Sequence, residues 1–184
     1  MILSIDPGVN HCGLAVLDIT ATPEVKDVVL VKNARKFTDE EKIIEAKHGP
    51  RVVKVLAILS QLEALYAKYP QVDTIVVEAP FYNALTPSAF GSLLEVISAI
   101  RYNFVLKHDL QYKAIEPMLI KKMFTTKAMA SKELIKQYLV AKISEKSIVV
   151  HADPEMLSEH EIDAIAIGYT HHINLKTQTV LAAE

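Results

Sequence analysis

Over residues 1–31 the apolar positions come in short unbroken runs, and beyond them they mostly recur every three or four residues. The runs Ile2–Asp6, Gly13–Ile19 and Val25–Val31 have strand length, and Pro7-Gly8 and Asn10 supply turn chemistry between the first two. Three short strands on short connections predict an antiparallel meander. Asp39 to Lys47 has helical character that Gly49-Pro50 interrupts. Val52, Val55, Leu56, Leu59, Leu62, Leu65, Tyr66 and Tyr69 then repeat at helical spacing. Thr74–Val77 is a β-branched run between Asp73 and Glu78, as expected of a strand buried on both faces.

The next predicted helix, 87–107, opens with Thr86 as N-cap and Pro87 at its first position. Phe90, Leu93, Leu94, Val96, Ile97, Ile100, Phe104 and Val105 make it apolar on more than one side, so it packs centrally in the core or also on a partner subunit. A short strand at Tyr112–Ile115 precedes helices at 117–124 and 131–143. The last helix starts at Ser158, where Ser158 and Glu161 form a Ser-x-x-Glu capping box, and runs to Ile173. The succession of elements shows no repeat and no low-complexity segment. It predicts one α/β domain over 1–184: a five-stranded mixed sheet, its first three strands antiparallel, flanked by helices.

Composition narrows the class of protein. With 51% hydrophobic and 23% charged residues the chain has a globular profile. No apolar run approaches the roughly 20 residues of a membrane span, so no membrane association is expected. The N-terminal stretch meets Asp6 without a basic region and does not read as a signal peptide. Cys12, the one cysteine, has no disulfide partner within the chain, which fits a reducing, cytoplasmic compartment (a host's, if the source is viral). The formal net charge is −2, yet residues 101–147 hold ten Lys/Arg against four Asp/Glu. Such asymmetry suggests a basic face for a polyanion and a separate gathering of carboxylates, or simply a solvated helical surface.

Three carboxylates stand where an apolar element meets a turn or a helix start: Asp6, Glu78 and Asp163. If the strands ending in Asp6 and Glu78 are neighbours, both side chains emerge at one sheet edge. Like charges held together there require something positive between them. Magnesium suits such a place because it takes hard oxygen ligands and keeps several waters. Two such ions about 4 Å apart serve phosphodiester hydrolysis by activating a water and stabilising the leaving oxygen. His160 lies three residues before Asp163 on the same helix face, and Glu159, four before it, is a competing ligand. The plain alternative is that Glu159, Glu161 and Asp163 only complement the helix N-terminal dipole.

Three segments resemble the motifs of the RuvC-type Holliday-junction resolvases, a family with the ribonuclease-H-like fold. Ile5-Asp6-Pro7-Gly8, followed by Gly13, is similar to the opening motif. Val76-Val77-Glu78-Ala79-Pro80-Phe81 resembles the second, and His160-Glu161-Ile162-Asp163-Ala164-Ile165-Ala166 the third. The resemblance spans Asp6 to Thr170, and it implies Mg2+ (with Mn2+ as substitute), two ions per site, held by Asp6, Glu78, His160 and Asp163. It implies a DNA-contacting set of Phe81, Lys121, Lys122 and Lys132, with Phe81 as the residue that stacks on bases at the junction crossover. The other reading of Phe81 is a staple that pins the following helix to the core. The resemblance further implies branched DNA, four-way junctions above all, as partner, and a homodimer through helix 87–107.

The 39–50 region is longer than the family pattern leads one to expect, and the stretch after Phe81 departs from it. His171 and His172 lie too far along the last helix from His160 to share its metal, and are expected to partner the helix C-terminal dipole. A flap or broader branched-DNA nuclease, or an RNA-processing nuclease of the same fold, would keep these carboxylates. An actin-like ATP-binding domain shares the strand-Asp-x-Gly opening but needs a second phosphate loop. A junction-binding protein without catalysis would have lost the carboxylates.

Overall fold

A computed structural model describes residues 1–82, 84 and 87–181. The expected N-cap Thr86 and part of the loop after Phe81 lie outside the described residues. Strands β1 (Ile2–Asp6), β2 (His11–Asp18) and β3 (Glu24–Lys32) form the antiparallel meander. β4 (Thr74–Glu78) joins β1 in parallel, and β5 (Gln111–Ile115) joins β4 in parallel. A sixth strand, β6 (Val149–Val150), adds to the outer side of β3, giving the order β5-β4-β1-β2-β3-β6. The sheet thus has six strands rather than the expected five. The extra one is two residues long, too short to carry an alternation that a sequence could display.

Helix α1 (Asp39–His48) has a complete capping box, with Thr38 and Glu41 each bonding the other's backbone N–H. Gly49, at φ 85°, turns the chain directly into α2 (Pro50–Lys68), so the interruption is a corner between two helices. α2 buries Val53, Val55, Ile58, Leu62 and Leu65, while Leu56 stays exposed. The helix expected over 87–107 is α3 (Pro87–Ile100) continued by a wider π-helical turn, Arg101–Val105. α4 (Pro117–Thr125) and α5 (Lys132–Ser144) follow.

The last helix, α6 (Glu159–Leu181), outruns the expected end at Ile173 because its final turns are mixed polar and apolar residues without a stop signal. His171 and His172 therefore sit inside the helix, buried, and are not partners of its C-terminal dipole. Among the described residues no helix is long and apolar enough to cross a membrane.

The sheet separates two cores. Leu3, Ile5, Leu14, Val16, Ile75 and Val77 pack on α2 and α3. On the other face Ile2, Ala15, Leu17 and Val76 pack on α4, α5 and α6. Strand alternation then decides the direction of the acids. In β1 the side chains of Ile2, Ser4 and Asp6 share the α6 face, and Ser4 Oγ donates to the Ala164 carbonyl of α6 at 2.7 Å.

Candidate active site

The β1–β4 register pairs Ile5 with Val77, which makes Asp6 and Glu78 the next facing positions at the strands' C-terminal ends. Both follow residues of the α6 face by two, so both turn toward α6. That helix begins over the same edge of the sheet, capped as expected: Ser158 Oγ accepts from Glu161 N at 3.3 Å, and Ser158 N donates to Glu161 Oε2 at 2.8 Å. Its first two turns deliver His160 and Asp163. Gly13 makes this approach possible. It pairs with Asp6 across the β1–β2 ladder, and a Cβ there would run into the His160 carbonyl.

Asp6, Glu78, His160 and Asp163 line one cleft of about 320 Å3 together with Phe81, Lys121 and Lys132. His160 Nδ1 donates to Asp6 Oδ2 at 2.7 Å. Glu159 does not line this cleft. Its carboxylate pairs with Lys132 at 2.7 Å, and Oε1 lies 3.5 Å from His160 Nε2. Lys122, one residue past Lys121, is exposed and outside the cleft. A larger recess of about 570 Å3 lies across the Pro7–Asn10 turn, lined by Arg51 and Lys54 among others, and none of Asp6, Glu78, His160 and Asp163 lines it.

The electrostatics of the cleft are those of crowded anions. Burial, the Asp6 charge and the Asp163 charge push the Glu78 carboxyl up to about 7, against the pull of Lys121 and Lys132. Burial and Asp6 likewise push Asp163 up to about 6. The hydrogen bond to Asp6 raises the His160 imidazole, and the Lys132 partner lowers Glu159. Among the described residues no three His, Cys, Asp or Glu side chains are gathered tightly enough to hold an ion as they stand. The donor chemistry nevertheless fits a hard divalent cation: three carboxylates and an imidazole face one space, and two of the carboxyls ionise reluctantly for want of positive charge.

Phe81 is 65% exposed at the rim of the cleft, so it does not staple α3 to the core. The neighbouring Tyr82, 57% exposed, packs edge-on against Phe90 of α3 at 5.5 Å. One feature of the site was not legible in the sequence. His11, the first residue of β2, stacks on His160 with ring centroids 5.4 Å apart and planes 13° apart. Only the strand alternation that puts His11 on the Gly13 side could have hinted at it.

The sheet order, with carboxylates at the ends of two adjacent parallel strands and on a helix crossing them, is that of the ribonuclease-H-like fold. Within that class the chain is similar to the RuvC-type resolvases over nearly its whole length. No family profile matches it. It is 27% identical to the crossover junction endodeoxyribonuclease RuvC of Campylobacter curvus, over 95% of this chain and 97% of that protein. It is 26% identical to that of Campylobacter concisus, over 95% and 98%. Thermus thermophilus RuvC, in complex with a Holliday junction substrate, superposes with a TM-score of 0.68 at 20% identity, over 97% of this chain and 96% of that one. The yeast mitochondrial Holliday junction resolvase Ydc2 gives 0.63 at 10% identity, over 93% and 77%. The resemblance read from the three motifs is borne out, and so is the fold it implied.

Proposed function

We propose that this chain is a structure-selective endodeoxyribonuclease that resolves four-way DNA junctions by metal-dependent phosphodiester hydrolysis, acting as a single nuclease domain. The observation that carries the reading is the convergence of Asp6, Glu78, His160 and Asp163 on one cleft rimmed by Lys121, Lys132 and an exposed Phe81. The similarity to RuvC proteins along the full chain supports junctions over flaps or RNA as substrate.

The four donors would hold Mg2+ or Mn2+, two ions per site, with His160 rather than the Lys132-paired Glu159 as the fourth ligand. Ions bound there would supply positive charge for activating a water and stabilising the leaving 3′-oxygen. Lys121 and Lys132 hold the strand by its phosphates at the mouth of the cleft and lower the cost of ionising Glu78. Phe81 stacks on a base unpaired at the crossover, and its exposure leaves its face free to do so. Lys122, exposed and outside the cleft, contributes to the general basic surface. Two copies, joined through α3 and the following turn, place two such sites on one junction for paired nicks.

The test compares synthetic four-way junctions, flaps and linear duplex in Mg2+. Junctions should be cut in preference, and Asp6→Asn, Glu78→Gln and Asp163→Asn should abolish cutting while junction binding persists. Equal cutting of all three substrates would reduce the reading to a general branched-DNA nuclease. Retained cutting by one of the variants would remove that residue from the mechanism.

A further inference from the structure

His160 is held in its own plane by two neighbours: Nδ1 donates to Asp6 at 2.7 Å, and Nε2 lies 3.5 Å from Glu159 Oε1, which is anchored by Lys132 at 2.7 Å. Those contacts do not by themselves define the tilt of the ring, because the second side-chain torsion of histidine is soft and roughly two-fold. The face of the ring is where His11 lies, nearly parallel at 5.4 Å. His11 opens β2, where its backbone pairs with Lys32 of β3, two residues before the Gly13 that lies beneath the start of α6. A flat ring carried on a strand is therefore set against the face of the imidazole in the cleft.

We propose that His11 is a positioning residue: its stack on His160 holds the imidazole in the plane in which Nδ1 reaches Asp6. This rests on the reading of the cleft as a nuclease site only for its effect on rate. The stack acts through shape, so an aromatic ring without nitrogens should replace it.

The experiment uses His11→Ala and His11→Phe in the full chain, with two readouts. In the first, single-turnover cleavage of a four-way junction at saturating protein should fall about tenfold in His11→Ala, the scale on which small misplacements of reacting groups are felt. His11→Phe should recover to within about twofold of wild type, and the junction Kd measured without metal should be the same for all three, since positioning affects the chemical step more than binding. In the second, nitrogen NMR of the metal-free protein should show a single hydrogen-bonded Nδ1 for His160 in wild type and His11→Phe, and an averaged signal in His11→Ala. An unchanged His160 spectrum in His11→Ala overturns the proposal even if cutting slows, since His11 would then act elsewhere. Failure of His11→Phe to restore rate and spectrum overturns it as well. If wild type cuts no junction, the nuclease reading fails, while the spectra still decide whether His11 positions His160.

Discussion

Glu78 ends a strand that is otherwise buried, and it faces two further acids across a narrow cleft. In an unfolded chain its carboxyl would ionise near 4.5, whereas in the fold it is pushed up to about 7. Asp163 is displaced in the same direction, from 3.8 to about 6. A folded-state value above the unfolded one means that the stability due to the group is full below 4.5 and is lost as the pH rises toward 7 and beyond. At pH 8 the folded protein therefore carries two carboxylates it would hold more easily as acids. Glu78→Gln should then be more stable than wild type at pH 8 by about 1–3 kcal/mol, with the gap closing toward pH 4. The buried His171 and His172 are shifted the other way by desolvation, so their stabilising contribution falls away as the pH drops through the ordinary histidine range. Thermal melts of variant and wild type at matched pH cancel that background. Magnesium should raise the melting temperature of wild type at pH 8 and raise that of Glu78→Gln less. A Glu78→Gln variant less stable than wild type at pH 8 would show that Glu78 is not strained by its neighbours. Lys121→Ala and Lys132→Ala remove the opposing cations and should weaken junction binding or rate, more so at low salt.

At the scale of elements, the site depends on how closely α6 lies on the sheet. Two glycines set that distance. A Cβ at Gly13 would collide with backbone at His160, whereas one at Gly168 would meet side-chain atoms of Leu17 at 2.7 Å and Ser4 at 2.9 Å. Backbone cannot step aside as a leucine methyl can. Gly13→Ala should therefore lift the first turn of α6, costing about 1–3 kcal/mol by overpacking and moving His160 and Asp163 together. Gly168→Ala should be destabilising but far less damaging to junction cleavage once the two are compared at equal folded fraction. Equal activity of the two variants would mean that the start of α6 tolerates displacement. The strands and helices that carry the acids were legible because each ends an apolar run: Asp6 and Glu78 close strands, and Asp163 follows a capping box. The spacing of His160 and Asp163 by three residues was enough to put them on one face. Less was visible of what depends on packing between distant segments. The clearance at Gly13, the His11 stack and the burial of His171 and His172 join β2 to a helix some 150 residues later, and no local period encodes them. The two-residue β6 and the polar final turns of α6 lack any period at all.

For the molecule as a whole, paired nicking would require two clefts to come to one junction, and α3 with the turn after it carries a surface suited to that. Its buried side, with Val96, Ile97, Ile100 and Phe104, is spent on the core against α2 and the sheet. The other side of this segment shows Leu94 of α3 at 39%, Tyr102 of the π-helical turn at 70% and Leu106 just past it at 67% exposure, at sequence spacings that are multiples of four. Large apolar side chains aligned on one face of a helix, with the opposite face already satisfied, are what a symmetric interface between copies would use. The chain should accordingly run as a dimer on a sizing column at micromolar concentration. Tyr102→Glu combined with Leu106→Glu places unpaired charge in that interface and should yield monomer with an unchanged melting profile for the cores, since both side chains lie outside them. The consequence for chemistry is specific. On a supercoiled plasmid bearing an extruded cruciform, two nicks made within one bound complex give a linear product, whereas single nicks relax the plasmid and remove the junction. Wild type should give mostly linear DNA, and the double variant mostly nicked circles. Linear product from a variant shown to be monomeric would mean that one cleft makes both cuts in succession, and that the stripe on α3 serves something other than pairing the two active sites.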